Sequence, residues 1–312
     1  MRNSVNSNIL IVGGTGFIGT YLAEKCIKKN WKVTSISTKI PPTHLKINKV
    51  KYLKVNISNK VKLRKIVRNK YDYIINLGGH VDHKNFNKTY FSHFVGCKNL
   101  VDIFKEKPPK VFLQMGSSSE YGKNNSPLKE NLKCRPNSIY GKSKLLATNY
   151  LMEQHKFYKF PAVILRLFQA YGPNQKTNRL LPFVIEGCLN NISFDCSTGK
   201  QKRDFIYIDD LIKIIFVCLK NKRAIGEIFN VGVSNPIRIK DIIKKIKGIT
   251  KKGKPNFGKI KMRKDEILNV YPNIKKANDI LNWQPKISLN KGLKKTIKFY
   301  KKKFNEKKLQ KR

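Results

Sequence analysis

The stretch Gly13-Gly14-Thr15-Gly16-Phe17-Ile18-Gly19 leaves this chain few folds to choose from. It directly follows the apolar run from Ile9 to Val12 and opens an amphipathic segment over 17–29. Glycines in this spacing let the backbone turn tightly and approach a pyrophosphate. The last one lets the helix pack close on the strand, so that the helix N-terminus faces the negative charge. Strand, loop and helix in this order are the start of a dinucleotide-binding unit, with Gly13, Gly16, Phe17, Ile18 and Gly19 as expected cofactor contacts.

The rest of the first half agrees. Short apolar runs over 8–12, 32–36, 50–54, 73–77, 110–115 and 162–167 read as strands, and helix-period segments occupy 17–29, 60–68, 85–105 and 139–158. Strands alternating with helices at this spacing mean parallel βαβ units and an α/β, doubly wound parallel sheet. After about Leu167 the pattern loosens into loops rich in Pro, Gly and Asn, so a smaller, irregular C-terminal region is expected to cap the sheet. The expected division is 1–170 as the dinucleotide-binding domain, with a segment near 204–232 returning to it. Residues 171–203 and 233–302 form the second region, and 303–312 a solvated basic tail.

Composition narrows the class further. The chain has 312 residues, 40% of them hydrophobic, enough for a full globular core. The apolar stretch after the polar first residues is too short for a signal peptide. The apolar run around 212–219 is far below membrane-spanning length, so no membrane span is expected. Cys26, Cys97, Cys134, Cys188, Cys196 and Cys218 are scattered without a C-x-x-C spacing. They read as reduced thiols of a cytoplasmic enzyme, with no metal site. The net charge of +47 invites a nucleic-acid partner. The lysines are spread along the whole chain rather than gathered in one stripe, so they read as solvated surface with no specific nucleic acid bound.

The end of the second strand is the place where an NAD-binding protein offers a carboxylate to the adenosine ribose. Ser37, Thr38 and Lys39 stand there instead, which tilts the cofactor toward NADP while leaving NAD open. The fifth strand ends in Ser117, Ser118 and Ser119, at the carboxyl edge where ligands of open α/β sheets sit. Tyr140-x-x-x-Lys144 follows, two residues on one face of a helix. Alone, the pair decides nothing in a chain where 66 of 312 residues are Lys or Arg. A dinucleotide loop, a serine at a strand end and Tyr-x-x-x-Lys on the next helix together make the pair catalytic. A phenol is too weak an acid to act as a base at neutral pH, and a cation one turn away is expected to lower its pKa.

These residues resemble the extended short-chain dehydrogenase/reductase family, the NAD(P)-dependent nucleotide-sugar epimerases, dehydratases and reductases. The resemblance covers nearly the whole chain. It continues through Arg166-Leu-Phe-Gln-Ala-Tyr171-Gly172-Pro173, Lys202-Arg203-Asp204-Phe205-Ile-Tyr207-Ile-Asp209-Asp210, Phe229-Asn230-Val231-Gly232 and the block around Trp283 and Pro285. It implies that Tyr140 exchanges a proton with the sugar oxygen and that Lys144 also holds the nicotinamide ribose. Ser117 would hydrogen-bond the same oxygen; it lies four residues before the tyrosine of a Tyr-Gly pair, and Ser118 is the alternative. It further implies cofactor contacts at Asn56 and Ile57, and at Leu77, Gly78 and Gly79 in "NLGGHVDH", where the family reads His-Leu-Ala-Ala. Arg203, with Arg263 as a second candidate, would contact the diphosphate of a nucleoside-diphosphate sugar, a task that suits a guanidinium fork. A homodimer through 85–105 and 139–158 is implied as well.

Two departures sharpen the reading. The family's 4,6-dehydratases carry Asp-Glu directly after the catalytic hydroxyl residue; here Ser118 and Ser119 stand there, which disfavours dehydration. Epimerising reductases of the fucose-synthase kind place a cysteine where this chain has Ser119. The "GSSSEYG" stretch looks most like that of 4-keto-6-deoxyhexose reductases. Reduction of a 4-keto sugar nucleotide is therefore the expected activity, with NAD-dependent 4-epimerisation as the alternative. A non-catalytic cofactor- or nucleic-acid-binding scaffold is the remote third reading, and the intact Ser117, Tyr140 and Lys144 argue against it.

Overall fold

The computed structural model describes residues 6–67, 69–80, 85–262 and 266–309. Its centre is a seven-stranded parallel sheet. In chain order its strands are β1 (Asn8–Val12), β2 (Lys32–Ser37), β3 (Val50–Lys54), β4 (Tyr73–Asn76), β5 (Val111–Ser117), β6 (Ala162–Leu167) and a last strand, Ile228–Val231. Across the sheet they lie as Ile228–Val231, β6, β5, β4, β1, β2, β3, so the order reverses beside β1. That reversal leaves a crevice at the carboxyl edge, the place where such sheets bind ligands.

The strands read as near-continuous apolar runs because both faces are covered. All seven residues of β5 are buried. Ile9 and Ile11 of β1 enter a core shared with α1 (Phe17–Ile27), α6 (Leu180–Leu189) and α7 (Ile208–Lys220), whereas Leu10 and Val12 enter the opposite core under α2 (Lys60–Ile66), α4 (Gly96–Phe104) and α5 (Ile139–Tyr158). Successive strand side chains point to opposite faces, so one strand feeds two cores.

The expected helix over 85–105 is broken. It comprises α3 (Phe86–Tyr90), a π-helical turn over Phe91–Val95, and α4. Residues beyond β6 form α6, α7, α8 (Ile239–Thr250), α9 (Lys275–Leu281) and α10 (Leu289–Leu309), with two- to four-residue strands among them. Residues 303–309, expected as a solvated tail, continue α10.

Candidate active site

The dinucleotide loop leaves β1 at Gly13, whose φ of +75° is open to glycine at little cost. Its N–H donates to the Ile36 carbonyl at 2.8 Å, tying the loop to β2. Gly19 lies in the first turn of α1, where a Cβ would stand 2.5 Å from the Gly13 oxygen and 2.6 Å from the Gly14 Cα. The helix therefore packs backbone to backbone on the strand. Its N-cap residue Gly16 provides no capping side chain and its first turn holds no acid, so the leading N–H groups of Phe17 and Ile18 suit a phosphate.

The other expected cofactor residues meet at the same edge. Ser37 ends β2, and its hydroxyl accepts from the Thr15 hydroxyl at 3.0 Å. Thr38 and Lys39 follow in the open, with no carboxylate at that turn. After β3 come Asn56, exposed, and Ile57, buried; after β4 come Leu77, Gly78 and Gly79. The Leu77 N–H donates to the Val12 carbonyl at 3.0 Å, and the Gly78 N–H to the Asn76 side chain at 3.1 Å. Loop, β2 turn and glycine pair thus meet at one edge of the sheet, where close-packed glycine backbone and a helix N-terminus suit a dinucleotide.

Ser117 ends β5 and starts a short 3₁₀ turn, Ser118–Glu120, as the first residue of a capping box. Its hydroxyl accepts from the Ser119 N–H at 3.1 Å and lies beside the Tyr140 phenol. Ser118 lies in the turn itself, where its carbonyl accepts from the Tyr121 N–H. Helix α5 brings Tyr140 and Lys144 to this point. Its N-cap Ser138 accepts from the Gly141 N–H, and a Cβ on Gly141 would stand 2.4 Å from the Ser119 carbonyl oxygen. Helix and turn therefore touch through backbone.

Lys144 is 4% exposed, its Nζ donating to the Met115 carbonyl at 2.7 Å and lying 5.9 Å from the centre of the Tyr140 ring. Lys142 is exposed on another face of the helix. The half-buried Tyr140 ring also meets the His93 ring edge-on, with centroids 5.1 Å apart. His93 belongs to the π turn that interrupts the expected helix; its Nε2 is bonded to the His80 carbonyl, and Gly79, at φ +150°, leaves room for its ring. Any side chain at Gly79 would overlap that imidazole.

The expected low phenol is not what the geometry produces. Burial raises the Tyr140 pKa, the Ser117 hydrogen bond opposes that rise, and the Glu120 carboxylate adds to it. Burial likewise pushes Lys144 down to about 8, with Glu120 the leading influence in the other direction.

Glu120 is the residue that sequence reasoning passed over. It is fully buried and accepts three hydrogen bonds: from the Ser117 N–H at 2.8 Å, the Thr148 hydroxyl at 3.0 Å and the Arg166 Nε at 2.8 Å. Arg166 in turn stacks on Tyr121, 4.6 Å from its ring centre. The Tyr121 hydroxyl donates to Asn230 at 2.7 Å, and Asn230 also bonds Leu128, Glu130 and Asn273. The sequence signal was present, since Ser117-x-x-Glu120 has capping-box spacing.

Arg203 lies apart, in a small three-stranded sheet of the C-terminal region, ion-paired with Glu266 and donating to the Leu268 carbonyl. Arg263 falls outside the described residues. Two lysine-rich surface cavities of about 490 and 460 Å³ beside Phe216 contain none of these groups.

Comparison with known proteins follows the same lines. A family model described as the NAD dependent epimerase/dehydratase family matches residues 9–232. CDP-abequose synthase of Salmonella muenchen is 27% identical over 310 residues, covering 94% of this chain and 98% of that protein. The dTDP-4-dehydro-6-deoxyglucose reductase of Escherichia coli is 27% identical, covering 94% and 97%. Among solved structures, UDP-glucuronic acid 4-epimerase from Bacillus cereus, in complex with UDP-glucuronic acid and NAD, superposes with a TM-score of 0.86 at 28% identity, covering 95% and 99%.

Proposed function

This chain belongs to the NAD-dependent epimerase/dehydratase family, and on that premise we propose that it reduces the 4-keto group of a nucleoside-diphosphate 4-keto-6-deoxyhexose. The observation that carries the reading is the state of the acids at the serine loop. Ser118 and Ser119 supply none, and the carboxylate that the loop does hold, Glu120, is buried beneath it with its oxygens committed to Ser117, Thr148 and Arg166. Eliminating water needs an acid–base group facing the sugar; proton transfer to a carbonyl oxygen needs only the phenol.

In this reading Tyr140 delivers its proton to the C4 oxygen while the Ser117 hydroxyl donates a hydrogen bond to the same atom. The Ser117 hydroxyl beside the Tyr140 phenol favours Ser117 over Ser118 for that task. Lys144 orients the phenol and offers its charge to the ribose of the bound dinucleotide, which supplies the hydride. The hydroxyls and the cation at 37–39 favour NADP over NAD. Arg203 serves the substrate diphosphate by exchanging its Glu266 partner for phosphate oxygens, and Arg263 remains the second candidate. The exposed Phe86, Phe91, Leu146 and Phe157 on the α3–α5 surface support a homodimer through that face. Six unpaired cysteines agree with a cytoplasmic setting.

Purified protein incubated with 4-keto-6-deoxy sugar nucleotides should oxidise NADPH, and NADH less well; no oxidation with any of them removes the proposal. The name of the Bacillus cereus neighbour supports a second reading, 4-epimerisation with tightly held NAD. Release of NAD on denaturation, with two sugar nucleotides interconverting and no net redox change, would decide for it.

A further inference from the structure

We infer that Glu120 is a positioning residue of this site, whose carboxylate fixes the Ser117 loop from below and acts as the counter-charge of Lys144. The inference rests on the functional reading above only in taking Ser117, Tyr140 and Lys144 as the working group.

The geometry assigns Glu120 the positioning task directly. One carboxylate oxygen receives the Ser117 N–H at 2.8 Å, which holds the serine backbone; the other receives Thr148 of α5 and Arg166 of β6. Thr148 lies one turn beyond Lys144 on the same helix, so a single carboxylate ties the loop, the catalytic helix and the sheet together. Gly116 has no side chain where a Cβ would come 2.6 Å from the Glu120 oxygen, so the strand itself makes room for the charge.

The electrostatic task follows from burial. Glu120 is 0% exposed, Arg166 3%, Lys144 4% and Ser117 7%, and charges this far from water depend on one another. Among the described residues the groups facing Lys144 are Tyr140 on its own helix, Cys97 from α4, the Met115 carbonyl from β5 and Glu120 from the turn; Arg166 stands behind Glu120 on β6. The Cys97 thiol is pushed up to about 12 by burial and is neutral at physiological pH. Among these described groups Glu120 is the anion, shared with its ion-pair partner Arg166, and its charge opposes the burial that drives Lys144 to lose its proton.

Glu120→Gln keeps the side chain's shape and deletes its charge. The direct measurement is the titration of Lys144 by NMR of protein labelled with ¹³C-lysine, its resonance assigned by loss in Lys144→Arg. In Glu120→Gln the Lys144 midpoint should fall below that of the parent; an unchanged or higher midpoint overturns the inference. With 4-keto sugar nucleotide, the alkaline limb of kcat/KM should move to lower pH, so that the loss at about pH 9 exceeds that at about pH 7 roughly tenfold. An equal loss at both pH values means a purely structural role and also overturns it. Arg166 would be left without its anion, so Glu120→Gln combined with Arg166→Met is the second variant, which should fold and show the same downward midpoint. A shifted midpoint in a protein that turns over no sugar nucleotide would keep this inference and reject the functional reading. Turnover with an unmoved midpoint would do the opposite.

Discussion

Tyr140→Phe removes one oxygen and leaves a ring that still packs edge-on against His93. Cofactor binding and folding should survive, while turnover falls by about two to four orders of magnitude, the range for losing a positioned acid–base group. Lys144→Ala takes away a buried cation, and with it both turnover and cofactor affinity should drop. Lys142→Ala, on the exposed side of the helix, should leave both nearly unchanged. Steady-state kinetics and cofactor titration of the three variants check this; a fully active Tyr140→Phe, or equal damage at Lys142, refutes it. That Ser117, Tyr140 and Lys144 come together was legible in the sequence from their order and spacing. The pKa relation was not. Burial dominates both the phenol and the ammonium, and burial depends on chain segments far away in sequence. Glu120 was hidden for the same reason: a glutamate beside a serine loop looks exposed until Arg166 and Thr148 are seen to close over it.

At the level of elements, period and punctuation carried α5, which spans Ile139–Tyr158 as expected, and the six strands to within about two residues. The π turn at Phe91–Val95 was not readable. The apolar pattern over 85–105 continues through it, and the extra residue in the turn accompanies His93 reaching Gly79 and Tyr140, a tertiary matter. The two- to four-residue strands beyond β6 were equally silent, since their partners lie far along the chain and their lengths leave no period to detect. At the β1–α1 junction the sequence and the packing agree, and a prediction follows. Gly19→Ala forces a methyl toward backbone 2.5 Å away, so the loop must shift. Stability should fall by about 1–3 kcal/mol, the usual cost of overpacking, and dinucleotide affinity should fall with it. Urea unfolding and cofactor titration are the checks, and unchanged affinity would show that the loop does not hold the phosphates.

For the whole molecule, charge is the main issue. With 66 basic and 19 acidic side chains, at most 19 one-to-one ion pairs can form, so most cations face water without a carboxylate. Such a surface repels itself, and the repulsion weakens as the screening length shortens from roughly 30 Å at 0.01 M salt to 10 Å at 0.1 M. The melting temperature should rise by several degrees over that range; a fall or a flat response would mean the surface charge costs nothing. A buried acid works in a different direction. Asp204 accepts from the Val233 and Asn235 N–H groups, and burial still pushes it up to about 6. A carboxyl raised on folding adds stability below its unfolded pKa near 4 and loses it as pH rises through 6. The stability of the parent relative to Asp204→Asn should therefore decline between about pH 4 and 7, by on the order of 3 kcal/mol. Urea unfolding of both proteins across that window tests it, and a constant difference rejects it.

Asn230 joins Tyr121, Leu128, Glu130 and Asn273. Those bonds set an order of events during synthesis. The serine loop is made early, but the residue that anchors Tyr121 belongs to the last strand of the sheet, and that residue's own partner at 273 leaves the ribosome later still. The inner contacts of that loop, from Ser117 through Glu120 to Thr148 and Arg166, involve only residues made before the last strand, whereas Tyr121 must wait for it. A chain released before residue 230 would therefore carry the serine loop with the buried Tyr121 hydroxyl deprived of its acceptor.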